Sequence, residues 1–264
     1  MGVDRCVPSG TTQLERQSGR RDFIRRRSAV DLEVVIPAYN EIARIPRTLQ
    51  RTVDYLEAQP WSSRVVVVDN GSVDQTGTVV RRISAMRHGS VPIELVGCAR
   101  PGKGAAVRRG LLSSTSCFVG FFDADLATPL DTIGAAMTHL QHGATAVIAS
   151  RHARGATFVR PQPLGRRVGG RVFRVLTRTM VPGVRDTQCG FKFFERRAVS
   201  CALVQCRTSG FAFDVELLQR LQRNGCTIIE LPVAWTDGAQ TSFRPIRDGL
   251  ASFGAVLQLQ RGEL

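Results

Sequence analysis

The feature that most constrains the fold is a short run of branched apolar residues, Val65 to Val68, that ends at Asp69. Branched side chains at every position are typical of a parallel strand that is buried on both faces. Similar runs alternate with segments that carry apolar residues at helical spacing. We predict strands at 32–37, 64–69, 92–96, 117–122 and 144–149, and helices at 41–58, 75–87, 103–114 and 130–142. This alternation predicts an α/β fold with a doubly wound, mostly parallel central sheet and flanking helices.

The first helix has a clear apolar face, formed by Ile42, Ile45, Leu49, Val53 and Leu56. The regular alternation stops after Arg151, and we predict further strands at 191–194 and 227–233 and helices at 196–204 and 214–223. Residues 164–180 predict a basic amphipathic helix, which either docks on the core or lies in a membrane interface. Its apolar face consists of Leu164, Val168, Val172, Val175, Leu176 and Thr179.

The domain organisation follows from these elements. Residues 1–30 are polar and basic, and we expect a disordered tail or, as the alternative, an electrostatic membrane tether. Residues 31–245 form the predicted α/β domain. Residues 246–264 form a predicted C-terminal amphipathic helix, with Ile246, Leu250, Phe253 and Leu257 on one face.

The composition favours partners that carry negative charge. The net charge is +14 and the isoelectric point about 10.9, which suits nucleic acid, nucleotide phosphates or an anionic membrane surface. Only Lys103 and Lys192 among the 36 basic residues are lysine, a bias that a G+C-rich genome also produces, so the charge favours no single partner. The seven cysteines form no Cys-x-x-Cys pair and are expected to be reduced in an intracellular protein. No apolar run long enough for a transmembrane helix or a signal peptide is present, so neither is expected.

Two carboxylates follow the fourth predicted strand, in the sequence Asp123-Ala124-Asp125. The carboxyl end of a strand in an open α/β sheet is where ligands bind. Two carboxylates so close together repel each other unless a cation lies between them, and Mg²⁺ or Mn²⁺ prefers such oxygen ligands together with phosphate. This pattern favours a metal–diphosphate site. Asp125 capping the following helix, or simply facing solvent, is the alternative.

Other polar groups are expected at the same edge of the sheet. Residues 37–41 end the first strand and Asp69 ends the second, although Asp69 could instead cap the next helix. The loop 100–104, Arg-Pro-Gly-Lys-Gly, opens a helix, and its glycines and Lys103 suit a diphosphate. The loop lacks the spacing of a Walker A motif. The first strand is not followed by Gly-x-Gly-x-x-Gly, which counts against a nicotinamide dinucleotide.

Several motifs, taken in order, resemble the family 2 glycosyltransferases with the GT-A fold, a Rossmann-like sheet. These motifs are Val35 to Glu41, Val68 to Asp74, Gly102 to Arg108 and Asp123 to Asp125. Ala149 to Arg151, Arg185 to Lys192 and Phe211 to Leu218 resemble the polyprenyl- and dolichyl-phosphate sugar synthases, and within that group the dolichyl-phosphate glucosyltransferases. The resemblance extends from about residue 32 to 250.

The resemblance implies roles for individual residues. The expected donor-binding residues are Pro37, Tyr39, Asn40, Glu41, Asp69, Lys103, Asp123 and Asp125, with Asp69 at the nucleotide base. Asp123 and Asp125 would hold Mg²⁺ or Mn²⁺, and Asp125 is counted as catalytic through this role. Asp214 is the second expected catalytic residue, either as a base or as a group that positions the acceptor, with a helix N-cap as the structural alternative. The expected acceptor-binding residues are Arg151, Arg166, Arg167, Gln188 and Arg244.

The sequence departs from the family pattern at three places. Asn70 stands where many relatives have a second aspartate. Ala127 cannot supply the side-chain metal ligand that some phosphomannose synthases have two residues after the second aspartate. Trp235 is followed by Thr236 to Arg244 and not by the Gly-Ser-Lys of the glucosyl branch, which puts the acceptor in doubt.

The implied activity is an inverting transfer of a hexose, with glucose from UDP-glucose favoured, to a polyprenyl or dolichyl phosphate. The implied location is cytoplasmic, peripheral at the inner face of the membrane, and a homodimer is an assembly that we leave open. The alternatives are a GDP-mannose-dependent polyprenyl-phosphate mannose synthase, a transferase with a soluble acceptor, and a non-catalytic binding protein. Nucleic acid is not an expected partner, because the sequence shows no zinc finger or RNA-recognition signature and its basic residues are scattered.

Overall fold

The computed structural model describes residues 30–159, 173–236 and 245–261. Its strands are β1 Leu32–Ala38, β2 Ser63–Asp69, β3 Ile93–Gly97, β4 Phe118–Phe122, β5 Ala146–Ser150, β6 Thr157–Phe158, β7 Phe191–Glu195, β8 Ile228–Pro232 and β9 Ala234–Trp235. Its helices are α1 Ile45–Glu57, α2 Thr76–Met86, α3 Lys103–Ser113, α4 Thr132–Gln141, α5 Arg196–Gln205, α6 Phe213–Arg223 and α7 Pro245–Arg261. The predicted tail, residues 1–30, lies outside the described residues except for its last position.

The main sheet confirms the predicted doubly wound, mostly parallel architecture. Its strand order is β3-β2-β1-β4-β7-β5-β8, and β6 and β9 form a separate parallel pair. The parallel pairs are β1 with β2, β1 with β4, β2 with β3, and β5 with β8. β7 runs antiparallel between β4 and β5. The sequence predicted this strand but not its direction, because a buried strand has the same apolar pattern in either direction.

The branched run in β2 is buried on both faces, as predicted. Val65 and Val67 pack in the layer that contains α1, α2 and α4. Val66 and Val68 pack in the opposite layer, which contains α3, α5 and α6. The sheet therefore separates two apolar layers, and its strand ends emerge between them.

The first helix begins later than predicted. Residues 41–44 precede the helix, which starts at Ile45 with a proline in its first turn, where the missing N–H costs nothing. The predicted buried face is confirmed at Ile45, Leu49, Val53 and Leu56. Ile42 is 40% exposed, so its place on that face was wrong, because it precedes the helix.

The predicted helix over 164–180 is described only at its C-terminal end, where residues 173–178 are helical. Val175 and Thr179 were expected on the apolar face, yet both are exposed, whereas Thr177 and Met180 are buried. Packing against α7 explains the difference, since the rings of Phe173 and Phe253 lie 5.3 Å apart. The helical segment 173–178 is therefore rotated about its own axis, relative to the orientation that we predicted.

The C-terminal helix is confirmed over Pro245–Arg261. Its contacts with the core come from Val256 and Leu259, whereas Leu257, which we expected on the apolar face, is 43% exposed. Gln260 donates a hydrogen bond to the Leu176 carbonyl at 3.2 Å, so α7 rests on the helical segment 173–178. Within the described residues, no helix has both the length and the apolar character that crossing a membrane requires.

Gly120 in β4 provides a test of the sheet packing. A Cβ atom at Gly120 would lie 2.2 Å from Cδ1 of Phe193, which is fully buried in β7. We expect Gly120→Ala to lower the free energy of unfolding by about 1–3 kcal/mol, the usual cost of overpacking. Gly97→Ala, at the end of β3, is the matched control, because no atom of the described residues lies within 4 Å of its Cβ position. Urea unfolding measures both variants, and equal stabilities would contradict the prediction.

Candidate active site

The carboxylates of Asp123 and Asp125 lie just beyond the end of β4, as predicted. The backbone N–H of Asp123 donates to the Gly190 carbonyl at 3.0 Å. A Cβ atom at Gly190 would lie 1.9 Å from Asp123 Oδ2, so only glycine lets the carboxylate lie against this backbone. Asp125 accepts a hydrogen bond from the Ala127 N–H at 3.0 Å. Both carboxylates line an open cleft together with Trp235.

Lys103 contacts the first of these carboxylates. It is the first residue of α3, and its Nζ lies 2.6 Å from Asp123 Oδ1. The preceding residue, Gly102, has a φ of 115° and no room for a side chain, because a Cβ atom would lie 2.3 Å from the Ser209 carbonyl oxygen. The predicted diphosphate loop thus brings an ammonium group to the aspartates, as expected from its sequence.

The loops after β1 and β2 are joined by side-chain hydrogen bonds. Asp69 accepts from the N–H and the hydroxyl of Ser72, at 3.0 and 2.6 Å. Asn40, which has a φ of 54°, accepts from the Val73 N–H at 2.9 Å, and its own N–H donates to the Ser72 hydroxyl. Asp69 therefore caps the turn at Ser72 and not the helix itself. Its other carboxylate oxygen lies beside Gly77, where a Cβ atom would be 3.1 Å from it.

The other residues of this segment that we predicted to bind the donor differ in exposure. Tyr39, which directly follows β1, is 49% exposed, and Pro37, near the end of β1, is half-buried. Glu41 is buried, and its carboxylate lies 2.9 Å from Arg44 Nε. The structure therefore brings together Tyr39, Asp69, Lys103 and the aspartate pair at one edge.

Asn70 is explained by the loop that follows β3. Its amide donates to the carbonyls of Cys98 and Arg100, at 3.3 and 2.7 Å, and its Oδ1 accepts from the Gly102 N–H at 2.7 Å. A carboxylate could make only the last of these bonds. Asparagine at this position therefore holds the 98–102 loop in place, and the departure from the family pattern has a structural reason.

Asp214 lies deeper than expected for a group that reaches a ligand. It is only 3% exposed, in the first turn of α6, and its Oδ1 accepts from Lys192 Nζ at 2.6 Å. Lys192 is fully buried and donates a second bond to the Cys189 carbonyl at 2.6 Å. The N-cap position of α6 is Ala212, and no described side chain caps this helix, so the alternative of Asp214 as an N-cap is wrong.

The expected acceptor residue Arg151 is already paired. Its guanidinium donates to both carboxylate oxygens of Asp186, at 2.8 and 2.9 Å, and lies 5.4 Å from the ring centre of Trp235. The side-chain Nε2 of Gln188 is buried and has no hydrogen-bond partner among the described residues. Arg166, Arg167 and Arg244 lie outside the described residues.

The charges of the site perturb one another. Burial and the charge of Asp123 raise the pKa of Asp125. Burial, opposed in part by Arg44, raises the pKa of Glu41, and the charges of Asp125 and Asp123 add to the rise. Burial alone would lower the pKa of Lys103, but the charges of Asp123 and Asp214 outweigh it and raise that pKa. Negative charge is thus in excess around the aspartate pair.

This excess and the oxygen ligands fit a hard divalent cation. Such an ion usually takes one or two protein carboxylates and completes its coordination with phosphate oxygens and water. Asp123 is 39% exposed in its side chain, so one carboxylate faces the cleft. In the described part of the chain, no three His, Cys, Asp or Glu side chains converge as a metal-ligand group.

Comparison with known proteins identifies the family. The model of glycosyl transferase family 2 matches residues 33–203. The chain belongs to glycosyl transferase family 2. A dolichyl-phosphate beta-glucosyltransferase of Trichomonas vaginalis is 33% identical over 80% of this chain, and the human dolichyl-phosphate beta-glucosyltransferase is 32% identical over 78%. The glycosyltransferase AglD of Haloferax volcanii is 30% identical over 93% of this chain. The chain spans 65%, 67% and 39% of the length of these three relatives.

Solved structures of other glycosyltransferases confirm the GT-A fold of this family 2 chain. Glucosyl-3-phosphoglycerate synthase from Mycobacterium tuberculosis, in complex with phosphoglyceric acid, has a TM-score of 0.65 and 20% identity over 97% of this chain and 86% of that chain. A second structure of that enzyme, which contains Mn²⁺, UDP and glucosyl-3-phosphoglycerate, has a TM-score of 0.62 and 20% identity over 98% of this chain and 87% of that chain. Identities this low establish the fold alone.

Sequence reasoning missed parts of the site that act through backbone contacts. Gly190 backs Asp123, and Asn70 holds the 98–102 loop, but neither contact is visible in the sequence. Lys192 was assigned to a strand without a role. One signal could have identified it, because a single charged residue interrupts the run Phe191 to Phe194 in a chain that has only two lysines.

Asn70→Asp tests the function assigned to the amide. A carboxylate would face the carbonyl oxygens of Cys98 and Arg100 without a proton to donate, so we expect the free energy of unfolding to fall by about 1 kcal/mol. Asn224→Asp is the matched control, since the Asn224 side chain accepts from Gln205 at 3.4 Å, as a carboxylate also can. Urea unfolding of both variants makes the comparison. A smaller loss for Asn70→Asp than for the control would contradict this assignment.

The pair of Arg151 and Asp186 predicts a pH dependence. Burial alone would raise the pKa of Asp186, but Arg151 outweighs it and holds that pKa well below its usual range. The pair therefore stabilises the fold above the unfolded-state pKa of about 4, and this stabilisation is lost as the pH falls below it. We expect Asp186→Asn to cost about 3–5 kcal/mol near neutral pH.

The difference between the parent and Asp186→Asn should shrink as the pH is lowered from about 6 to about 2. Urea unfolding across this range measures it. Asp131→Asn, at an exposed carboxylate before α4, controls for the general loss of negative charge. A constant difference between the parent and Asp186→Asn would show that the ion pair is not its source.

Proposed function

We propose that this family 2 glycosyltransferase transfers glucose from UDP-glucose to a dolichyl or other polyprenyl phosphate, with inversion at the anomeric carbon. The observation that carries the proposal is the convergence of Asp69, Lys103, Asp123 and Asp125 at the carboxyl edge of the sheet. Asp69 offers a hydrogen-bond acceptor for the nucleotide base, and Lys103 offers a cation for the diphosphate. The two remaining aspartates offer ligands for a divalent ion. The choice of sugar and lipid rests on the relatives named above.

The donor would lie across the edge from β2 to β4. The open oxygen of Asp69 would accept an N–H of the nucleotide base, and Tyr39 would cover the base with its exposed ring. Lys103 and the N-terminus of α3 would face the diphosphate, since both carry positive potential. When bound, Mg²⁺ or Mn²⁺ at Asp123 and Asp125 would supply Lewis-acid stabilisation of the diphosphate as it departs.

The transfer itself needs little proton chemistry. An oxygen of the acceptor phosphate forms a bond to the anomeric carbon, while the bond from that carbon to the UDP oxygen breaks on the opposite face. The acceptor oxygen is already anionic near neutral pH, so no strong base is required. This suits an Asp214 that is buried against Lys192 and acts by position.

The acceptor would approach from the side of Trp235. The Gln188 Nε2 is a donor without a partner among the described residues, which suits a phosphate oxygen. Arg151 would add positive potential there while it remains bound to Asp186. A peripheral location at the anionic inner face of a membrane belongs to this proposal, because the lipid acceptor would be found there.

Calorimetric titration with UDP and GDP, each with and without Mn²⁺, tests the donor site. We expect tight UDP binding that depends on the metal, and Asp125→Ala should abolish the metal-dependent part of the affinity, since one of two carboxylate ligands is lost. Asp131→Ala is the matched control, because it removes an exposed aspartate outside the cleft. Transfer of glucose from UDP-glucose to dolichyl phosphate in detergent tests the acceptor.

Each outcome has a defined meaning. A preference for GDP would replace glucose by mannose in the proposal, and turnover of a soluble acceptor without lipid would replace the polyprenyl phosphate. If neither nucleotide binds and no nucleotide sugar is turned over, the enzymatic proposal fails and a binding role takes its place.

A further inference from the structure

We infer that Lys192 is a positioning residue that holds the two walls of the donor site at a fixed separation, with Asp214 as its partner. This inference rests on the proposed donor site, and no role was assigned to Lys192 by the sequence motifs. Its ammonium group lies behind the site and makes two hydrogen bonds of 2.6 Å, one to the Cys189 carbonyl and one to Asp214 Oδ1. Each bond leads to a different wall.

The first wall carries the metal-binding carboxylate. The Cys189 carbonyl belongs to the peptide unit that joins Cys189 to Gly190. Gly190 accepts the backbone hydrogen bond of Asp123, and its Cα is packed so closely on the Asp123 carboxylate that a Cβ atom would lie 1.9 Å from Oδ2. A displacement of this peptide would therefore move Asp123 with it.

The second wall carries Lys103. Asp214 is in the first turn of α6, and the residue before it, Phe213, packs on Gly104, where a Cβ atom would lie 2.3 Å from the Phe213 Cβ. The Ala105 N–H also donates to the Ser209 carbonyl at 3.0 Å, so the N-terminus of α3 is fixed to the segment that leads into α6. Fixing Asp214 therefore fixes the start of α3, and with it Lys103.

The two walls meet again at the ligand side, where Lys103 contacts Asp123 at 2.6 Å. The contact between Lys192 and Asp214 thus completes a closed series of contacts that runs through both walls to Lys103 and Asp123. Asp123 is the member of this series that faces the cleft. Lys192 is 0% exposed and Asp214 3%, so neither side chain has room to reorient. The Lys192 ammonium also lies 5.4 Å from the ring centre of Phe121. The small ammonium group fits between this ring and its two hydrogen-bond partners. Arginine is the basic residue almost everywhere else in this chain.

A base acting on the acceptor is the other function for Asp214, and the two functions differ in what they predict. A base affects turnover and leaves the affinity for UDP and Mn²⁺ unchanged. A positioning pair affects that affinity, because it sets the distance between Asp123 and Lys103. The affinity for UDP and Mn²⁺ therefore separates them.

The test replaces the pair by apolar residues in Lys192→Met/Asp214→Leu. Removing both charges together avoids an unpaired buried charge, and such replacements are often neutral for stability. We expect the variant to keep a melting temperature near that of the parent while its affinity for UDP with Mn²⁺, measured by calorimetry, falls roughly 10- to 100-fold. The matched control is Glu33→Leu/Arg64→Met, which removes another largely buried pair at the opposite end of β1 and β2 and should leave the affinity unchanged.

Asp214→Asn keeps the test decisive if the double variant does not fold. Asparagine can still accept the hydrogen bond from Lys192 but cannot act as a base. The positioning role therefore predicts that both the affinity for UDP with Mn²⁺ and the turnover of Asp214→Asn stay within about threefold of the parent, whereas a base predicts loss of turnover. Parent-like affinity in the double variant, or an affinity loss of roughly tenfold or more in Asp214→Asn, would overturn the inference. Failure of the parent itself to bind UDP would instead overturn the proposed donor site.

Discussion

Several carboxylates lie close together at the carboxyl edge of the sheet. The repulsion between their negative charges must be balanced by nearby positive charge, and the rest of the site depends on this balance. Asp125 carries a raised pKa because it is buried beside Asp123, and the same two charges act on Glu41. Carboxylates in such a group remain ionised only where cations lie close by. Lys103 supplies one at the cleft and Lys192 another in the interior. A divalent ion together with a diphosphate, as the proposed function requires, suits this balance because the two bring positive and negative charge together.

Close backbone contacts give the site its shape. Gly190 and Gly104 have no space for a side chain, since Asp123 and Phe213 occupy the positions where their Cβ atoms would lie. Side chains then fix the loops that remain, with Asn70 bonded to three backbone groups of the 98–102 loop. The walls of the cleft are therefore set by packing and hydrogen bonds that act before any ligand binds, which is how a binding site becomes preorganised.

Much of this arrangement could be predicted from the sequence, because it depends on local patterns. The branched run in β2 predicted a sheet covered on both faces, and the position of Asp123 and Asp125 after an apolar run predicted the ligand edge. The direction of β7 and the orientation of the helical segment 173–178 were beyond reach, since both depend on contacts between distant segments. The same holds for the burial of Asp214 in α6, where it contacts Lys192 from the distant strand β7.

Because the chain has few lysines, the proposed donor site can be addressed by chemistry that is selective for amines. The chain has two side-chain amines, and Lys192 is sealed in the interior, so Lys103 is the one that solvent can reach. Acylating reagents and aldehydes act on the neutral amine, and the raised pKa of Lys103 keeps that form scarce as long as Asp123 lies beside it. The covalent reactivity of the Lys103 amine therefore reports on the electrostatic state of the proposed donor site.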